Sequence, residues 1–338
     1  MNLRSLLLDE IGEWGAGRGF PSYRASQIAG WLYNRPLTAV EDMHNLPAEI
    51  RSALVEDFDC TLAVPSRVSV SQDGTTKMLV KFGDREVVEG VIIPSGDRRT
   101  LCISSQVGCA LDCRFCATAR LGLRRNLEAG EIVSQVLVAR EQGDSWPLTN
   151  YVFMGMGEPL ANYDRLLRAL EIMTARWGLG ISPRRITVST VGLVPQLKRL
   201  AADTKVHIAI SLTAARDDLR DQLMPINRRY PLSELIGACH DLDLPRRKRI
   251  TFEYVMLDGV NDSLGEADRL VKLLDGLRVK VNLIPFNPFE DCGFNRSPDA
   301  VIESFQERLL SAGVHATVRQ SRGRDIAAAC GQLAAQAS

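Results

Sequence analysis

The sequence predicts an α/β fold, a full or partial parallel-stranded barrel over residues 98–338, preceded by a small helical module at 1–55 and a β-hairpin extension at 56–97. Three patterns carry this expectation. From residue 98 short apolar runs alternate with amphipathic segments; in residues 1–55 apolar positions recur at helical spacing; in residues 60–94 the texture becomes that of short strands joined by turns.

The module rests on Ile28, Trp31 and Leu32 after Arg24-Ala25-Ser26, and on apolar residues of 46–54 around Pro47. The extension follows as Thr61-Leu62-Ala63-Val64, Arg67-Val68-Ser69-Val70-Ser71, an Asp73-Gly74 turn, then runs at 77–82 and 87–93. Barrel strands are expected at 100–104, 151–154, 185–189, 206–211, 250–256, 279–284 and 316–318. Helices are expected between them at 128–141, 163–177, 232–242, 263–274 and 298–312. In such a fold ligands collect at the carboxyl ends of the strands.

With 338 residues and 45% hydrophobic content the chain can bury a large core. Lys plus Arg is 41 and Asp plus Glu is 41, so no global charge draws it to nucleic acid. Attraction must be local, at Arg120, Arg124 and Arg125, at Arg228 and Arg229, or at Arg246-Arg247-Lys248-Arg249; each group is ordinarily a solvated face. The apolar stretch near Met1 is too short for a signal peptide, and no run approaches the length of a membrane span. A soluble, cytoplasmic protein is expected, with its eight cysteines reduced and available to metal.

Cys109, Cys113 and Cys116 stand in Gly108-Cys109-Ala110-Leu111-Asp112-Cys113-Arg114-Phe115-Cys116, a C-x3-C-x2-C spacing. A structural zinc site wants four ligands, usually as two pairs, and no second pair exists: Cys60, Cys102, Cys239, Cys292 and Cys330 are scattered, and four histidines form no paired motif. Three thiolates on a four-iron cluster leave one iron open to a small molecule, which turns an electron carrier into a reaction centre.

The other suspicious residues fall just after predicted strands. Gly155-Met156-Gly157-Glu158-Pro159 follows the second strand, Ser189-Thr190 ends the third, Ser211-Leu212-Thr213 ends the fourth, and Asn287 follows the sixth. Two glycines after a strand more often make a tight turn than a ligand site. On the same rim as an open iron, they let backbone approach an amino-acid moiety, and Glu158 can accept from its ammonium group.

The C-x3-C-x2-C triplet followed by Gly-Glu-Pro resembles the radical S-adenosylmethionine superfamily. The wider sequence is similar to its RlmN/Cfr family over essentially the full chain. The matching stretches are Val88-Glu89-Gly90-Val91-Ile92-Ile93-Pro94, Leu101-Cys102-Ile103-Ser104-Ser105-Gln106-Val107, Phe153-Met154-Gly155-Met156-Gly157-Glu158-Pro159-Leu160, Leu219-Arg220-Asp221-Gln222-Leu223-Met224-Pro225-Ile226-Asn227, Asn282-Leu283-Ile284-Pro285-Phe286-Asn287-Pro288 and Ala328-Ala329-Cys330-Gly331-Gln332-Leu333.

The resemblance implies a partial (β/α)6-type barrel, a [4Fe-4S] cluster on Cys109, Cys113 and Cys116, and S-adenosylmethionine at the open iron. It implies methylation of carbon 2 of adenosine 2503 in 23S rRNA, with adenosine 37 of tRNA as a further substrate; the Cfr-like alternative methylates carbon 8. A noncatalytic metal-binding RNA protein would need neither Cys330 nor the Gly-Glu-Pro turn. One S-adenosylmethionine would methylate Cys330, and a second would be cleaved to a deoxyadenosyl radical that takes hydrogen from the S-methyl group. The methylene radical then adds to carbon 2, which is too electron-poor to attack a sulfonium methyl. By family analogy Glu89 removes the ring proton and Cys102 closes a transient disulfide with Cys330 as product leaves.

Gly157, Glu158, Ser189, Ser211, Leu212, Thr213 and Asn287 match cofactor-contacting positions. Thr213 stands where the family commonly has histidine, so a side-chain role is in doubt there, and Arg324 stands where an acidic residue is usual, near Cys330. The implied partners are 23S rRNA, tRNA and an electron donor such as flavodoxin or ferredoxin, with the protein a monomer and no membrane involved. The target base must be unstacked or flipped to reach a buried site, and the amino-terminal module is expected to serve as an accessory RNA platform.

Overall fold

In a computed structural model describing residues 1–35, 37–142, 147–245 and 247–334, the amino-terminal module is three helices, α1 (Leu8–Gly17), α2 (Tyr23–Tyr33) and α3 (Ala48–Asp57). The first turn of α1 is closed by Glu10, whose Oε2 accepts from Leu7 N at 2.8 Å. α2 buries Ala25, Ile28, Ala29, Leu32 and Tyr33; of the three positions the sequence singles out, Ile28 and Leu32 are in the core and Trp31 is half-buried at its edge.

Strands β1 (Val64–Val70), β2 (Thr76–Lys81) and β3 (Val87–Ser95) form the hairpin extension, antiparallel throughout, and β3 pairs antiparallel with β4 (Arg98–Cys102). The strand expected from Thr61 begins only at Val64, because Asp59 Oδ1 accepts from Thr61 N at 2.9 Å and makes a turn of those residues. After β4 come β5 (Gln106–Gly108), α4 (Ala117–Arg120) and β6 (Leu123–Asn126); β5 and β6 pair as a separate two-stranded sheet. None of these three elements is among those the sequence predicts.

The alternating pattern then runs α5 (Ala129–Gln142), β7 (Asn150–Phe153), α6 (Tyr163–Thr174), β8 (Ile186–Thr190), α7 (Val194–Asp203), β9 (His207–Ser211), α8 (Asp217–Leu223), α9 (Leu232–Asp241), β10 (Ile250–Met256), α10 (Leu264–Leu273), β11 (Val279–Pro285), α11 (Asp299–Ser311) and β12 (Ala316–Val318). The main sheet is ordered β1-β2-β3-β4-β7-β8-β9-β10-β11-β12. From β4 to β12 every neighbouring pair is parallel, as helical crossovers require. The sheet keeps two edges, so the barrel is partial. Each expected barrel strand lies within two residues of its place. The helix expected to reach 177 stops at Thr174, since Leu179 N and Ile181 N fold back to the carbonyls of Ile172 and Met173 at 2.9 and 2.8 Å.

One apolar core runs through module, hairpin and barrel, joining Leu6 and Ile28 to Val80, Ile132, Leu166 and Phe252. A second, smaller cluster around Cys113, Phe115, Leu219, Leu223 and Phe286 lies under the cysteine loop. It gives that loop an apolar seat of its own.

Candidate active site

The cysteine loop is closed by the β5–β6 hairpin. Gly108 takes φ 78°, and Cys109 N donates to Gly122 O at 3.0 Å. Within the loop Asp112 is left-handed at φ 51°, and Cys116 N donates to Cys113 O at 3.0 Å. Helix α8 supports it from below, where Arg114 N donates to Leu223 O at 3.0 Å.

Burial pushes the Cys109 thiol up to about 11, the Cys113 thiol well above its ordinary range and the Cys116 thiol up. For Cys109 and Cys113, neighbouring cysteines and Glu158 add to the shift. Three thiolates so placed need compensating positive charge, which bound iron supplies. Among the described residues no three Cys, His, Asp or Glu side chains converge as ligands of a single ion do. Three cysteines at this spacing suit a cluster, whose thiolates bind separate irons.

The glycine turn after β7 brings Glu158 beside this loop. Its Oε1 accepts from Leu160 N at 3.0 Å and its Oε2 from Val191 N at 2.9 Å, while Glu158 N donates to Gln106 Oε1 at 2.8 Å. Burial pushes the carboxyl up to about 7. A buried carboxylate of this kind is stabilised by an incoming ammonium group.

Cys116, Gly157, Glu158, Ser189, Ser211, Asn287 and Cys330 line one cavity of about 150 Å³ at the carboxyl ends of the strands. Leu212 and Thr213 lie behind its wall. Both are fully buried; Leu212 N donates to Glu253 O at 2.9 Å, and Thr213, at φ 59°, accepts through its carbonyl from Asn261 Nδ2 at 2.7 Å. At Thr213 the backbone does the structural work while its side chain stands away from the cavity.

Cys330 lies on a strap that crosses the rim from β12. Its carbonyl accepts from Asn287 Nδ2 at 3.3 Å, and Arg324 Nε donates to Asn287 Oδ1 at 3.2 Å. The strap continues over the cysteine loop, where Ala117 N donates to Gly331 O and Thr118 Oγ1 to Leu333 O, each at 2.7 Å. Cys102, buried at the end of β4, is pushed up to about 12 by burial, then by the charge of Cys330, with Arg319 acting the other way. All eight cysteines are thiols here.

Glu89 faces elsewhere. Buried in β3, with its N–H directed at Met156 Sδ (3.4 Å) and its Oε1 3.4 Å from Lys77 Nζ, it lines an open groove of about 660 Å³ between the hairpin and the 288–291 loop. The strap separates this groove from the cofactor-sized cavity, since Ala327 and Gln332 line the groove and Cys330 and Gly331 the cavity.

Three charges beside the site, Glu253 and Arg220 buried and Arg319 half-buried, are not among the candidates the sequence offers. Glu253, in the middle of β10, lines the cavity and accepts from Ser189 Oγ at 3.4 Å. Arg220, 1% exposed, donates to Val191 O at 2.7 Å, Asn227 Oδ1 at 2.9 Å, Leu212 O at 3.2 Å and Ser211 O at 3.3 Å, tying together the ends of β8 and β9. Arg319 lines a small cavity with Cys330. An acid within the apolar run Ile250-Thr251-Phe252-Glu253-Tyr254-Val255-Met256 was a visible signal; Arg220 had only the stretch it stands in, and Arg319 had none.

The basic groups are largely committed within the chain. Arg120 donates to the carbonyls of Glu290 (2.9 Å) and Asp291, Arg124 pairs with Glu86 at 3.0 Å, and Arg125 with Asp84 at 2.6 Å and Glu131 at 2.7 Å. Lys248 donates to the carbonyls of Lys205 and Val206, and Arg229 stacks on Tyr230; Arg246 lies outside the described residues. Among the described residues no helix is long and apolar enough to cross a membrane.

Comparison with known proteins agrees with this arrangement. Residues 103–271 match the radical SAM superfamily model, and residues 1–59 match the ribosomal RNA large subunit methyltransferase N-terminal domain. A dual-specificity RNA methyltransferase RlmN of Geobacter sulfurreducens is 48% identical over 333 residues, covering 98% of this chain and 92% of the relative. One of the same name from Anaeromyxobacter dehalogenans is 47% identical over 342 residues, covering 99% and 92%. The crystal structure of a radical SAM methyltransferase from Sphaerobacter thermophilus superposes with a TM-score of 0.94 at 46% identity, covering 99% of this chain and all of that one.

Proposed function

The chain belongs to the RlmN family of radical S-adenosylmethionine RNA methyltransferases, and from that membership we propose that it methylates carbon 2 of adenosine 2503 in 23S rRNA and of adenosine 37 in tRNA. The observation that carries the reading is the seating of Cys330 in the same cavity as Cys116 and Glu158. A thiol there stands beside the site of a methyl donor, 214 positions along the chain from the nearest cluster cysteine.

Cys109, Cys113 and Cys116 would hold the [4Fe-4S] cluster, which when bound supplies the electron that starts radical chemistry on S-adenosylmethionine. Glu158 receives the cofactor's ammonium group, Ser189, Ser211 and Asn287 line the pocket around it, and Gly157 lets it approach. Leu212 and Thr213 support that wall through backbone. Cys330 carries the methyl group. Glu89, in the neighbouring groove, removes the proton from ring carbon 2, and its buried setting beside Lys77 suits a base screened from water. Cys102 then attacks the Cys330 sulfur: the sulfur–carbon bond to the base breaks, the carbon leaves with the electron pair and takes up a proton as the product methyl group, and an electron donor such as flavodoxin or ferredoxin reduces the resulting Cys102–Cys330 disulfide to two thiols. In this reading the protein is a monomer working in the cytoplasm, with residues 1–55 as the accessory RNA platform.

Protein reconstituted anaerobically with iron and sulfide, then given reductant, S-adenosylmethionine and unmodified rRNA or tRNA, should yield 2-methyladenosine by nucleoside mass spectrometry. 8-Methyladenosine alone would select the Cfr-like reaction, and no methylated adenosine would overturn both. Cys330→Ala should keep its iron and lose methyl transfer; transfer at the wild-type rate would remove Cys330 from the mechanism.

A further inference from the structure

The strap that carries Cys330 is gripped by the turn of the β1–β2 hairpin, far from it in sequence. Ser71 Oγ donates to Asp325 Oδ1 at 2.6 Å and Gln72 N to Asp325 Oδ2 at 3.2 Å. In the reverse sense Gly323 N donates to Asp73 Oδ2 at 2.9 Å, while Asp73 Oδ1 accepts from Thr75 N at 2.9 Å and so closes the turn itself. Lys77 Nζ adds a bond to Ala327 O at 3.3 Å. Ala327 is held at φ 49°, a left-handed conformation that a residue with a Cβ adopts only when its surroundings fix it.

Both carboxyls show the grip in their acidity. Burial would raise Asp73, but the bonds from Thr75 and Gly323 outweigh it and hold the carboxyl at about 2. The Ser71 hydroxyl and the Gln72 amide hold Asp325 below its ordinary value. Bonds to carboxylate oxygens are the stronger kind.

Beyond Cys330 the strap is pinned again, at Gly331 and Leu333 on α4 and through Gln332 Nε2, which donates to Pro288 O at 2.8 Å. Ala328, Ala329 and Cys330 lie between the two sets of anchors, with Ala328 N tied back to Gly323 O at 2.8 Å and the Cys330 carbonyl held by Asn287. The hairpin grip therefore decides where that span leaves the groove wall, and with it which way the thiol faces.

We propose that Asp325 and Asp73 are positioning residues for Cys330, the hairpin turn being a clasp that holds the strap so that the thiol lies in the cofactor cavity within reach of Cys102. The proposal rests on the reading of Cys330 as methyl carrier. A thiol that must meet a sulfonium methyl on one side and a second thiol on the other gains rate from being held, because a displacement of about 1 Å can cost a reacting group as much as a hundredfold. Asp325 and Ala327 also line the groove with Glu89, so the clasp sits on the wall along which a target base would enter.

The test uses the full chain. Cys330 alkylation by iodoacetamide is followed by peptide mass spectrometry, beside kcat, the KM for RNA and iron content in reconstituted enzyme. Asp325→Ala should raise the Cys330 alkylation rate and lower kcat, each by about tenfold, with KM and iron unchanged. Asp325→Asn should restore both, since its amide can donate to Ser71 Oγ while its oxygen accepts from Gln72 N. Ser71→Ala should reproduce part of the Asp325→Ala effect and add nothing to it in the double variant. Wild-type alkylation of Cys330 in Asp325→Ala, or an Asn variant as impaired as the Ala variant, would overturn the clasp. The labelling does not depend on the carrier role, so a Cys330→Ala enzyme that still methylates would overturn that role separately.

Discussion

Cys102 shows how far a residue's chemistry is set by what surrounds it. Its thiol is pushed up to about 12 by burial, so at neutral pH it rests protonated beside the strap and becomes a nucleophile only as its proton is taken. Between about pH 9, its ordinary value, and 12 the folded chain keeps a proton that the unfolded chain releases; this contribution to stability therefore falls as pH rises through that window. The rate of Cys102 alkylation in the native protein should keep rising about tenfold per pH unit past pH 9. A rate that levels off near pH 9 would show an ordinary thiol. The cluster cysteines were legible in sequence because C-x3-C-x2-C spacing is local. Arg220, 1% exposed, was not, because a lone charge reads as a solvated face until the folded neighbours that bury it are known; Glu253, 6% exposed, showed only as an acid inside an apolar run.

The β5–β6 hairpin illustrates the same limit for elements. The parallel strands were legible because each is an apolar run bounded by breakers, and β10 matches its expected 250–256 residue for residue. β5 has three residues and β6 reads Leu-Arg-Arg-Asn, so neither has a pattern of its own; they exist because each pairs with the other. That pairing leaves no room at Gly108. A Cβ there would stand 1.8 Å from Gly122 O, at a φ of 78° that other residues avoid. Gly108→Ala should open the cysteine loop while the barrel, which does not include this hairpin, stays folded. Iron bound after reconstitution is expected to drop to about half or less with the far-ultraviolet circular dichroism unchanged. Full iron content in that variant would mean the hairpin does not hold the loop.

At the scale of the whole molecule, the helical module is built into the barrel's outer layer. Its first residues lie along α5, where Gly130 N donates to Ser5 Oγ at 2.8 Å, and Arg168 of α6 donates to Ser5 O at 3.1 Å and Glu10 Oε2 at 2.5 Å. Tyr33 stacks edge-on against Trp177 at 5.7 Å, and Leu37 N donates to Glu141 Oε1 at 2.7 Å. The closest approach is at Gly130, where a Cβ would lie 2.3 Å from Asn2 Oδ1 and 2.8 Å from the Arg4 carbonyl carbon. Sequence showed a helical module and could not show this seam, whose polar and apolar partners lie about a hundred or more positions apart in the chain and have no joint pattern. Because one core crosses the seam, module and barrel should unfold together in a single transition. Gly130→Val places three carbons where backbone already lies, so the first residues must lift off α5, at a cost of about 1–3 kcal/mol. Differential scanning calorimetry should show one transition at a lower temperature, and methylation of tRNA should weaken through KM if the module also carries the RNA. Two separated transitions, or an unshifted one, would mean that the module folds as an independent domain and that the packing at Gly130 contributes nothing to the stability of the barrel.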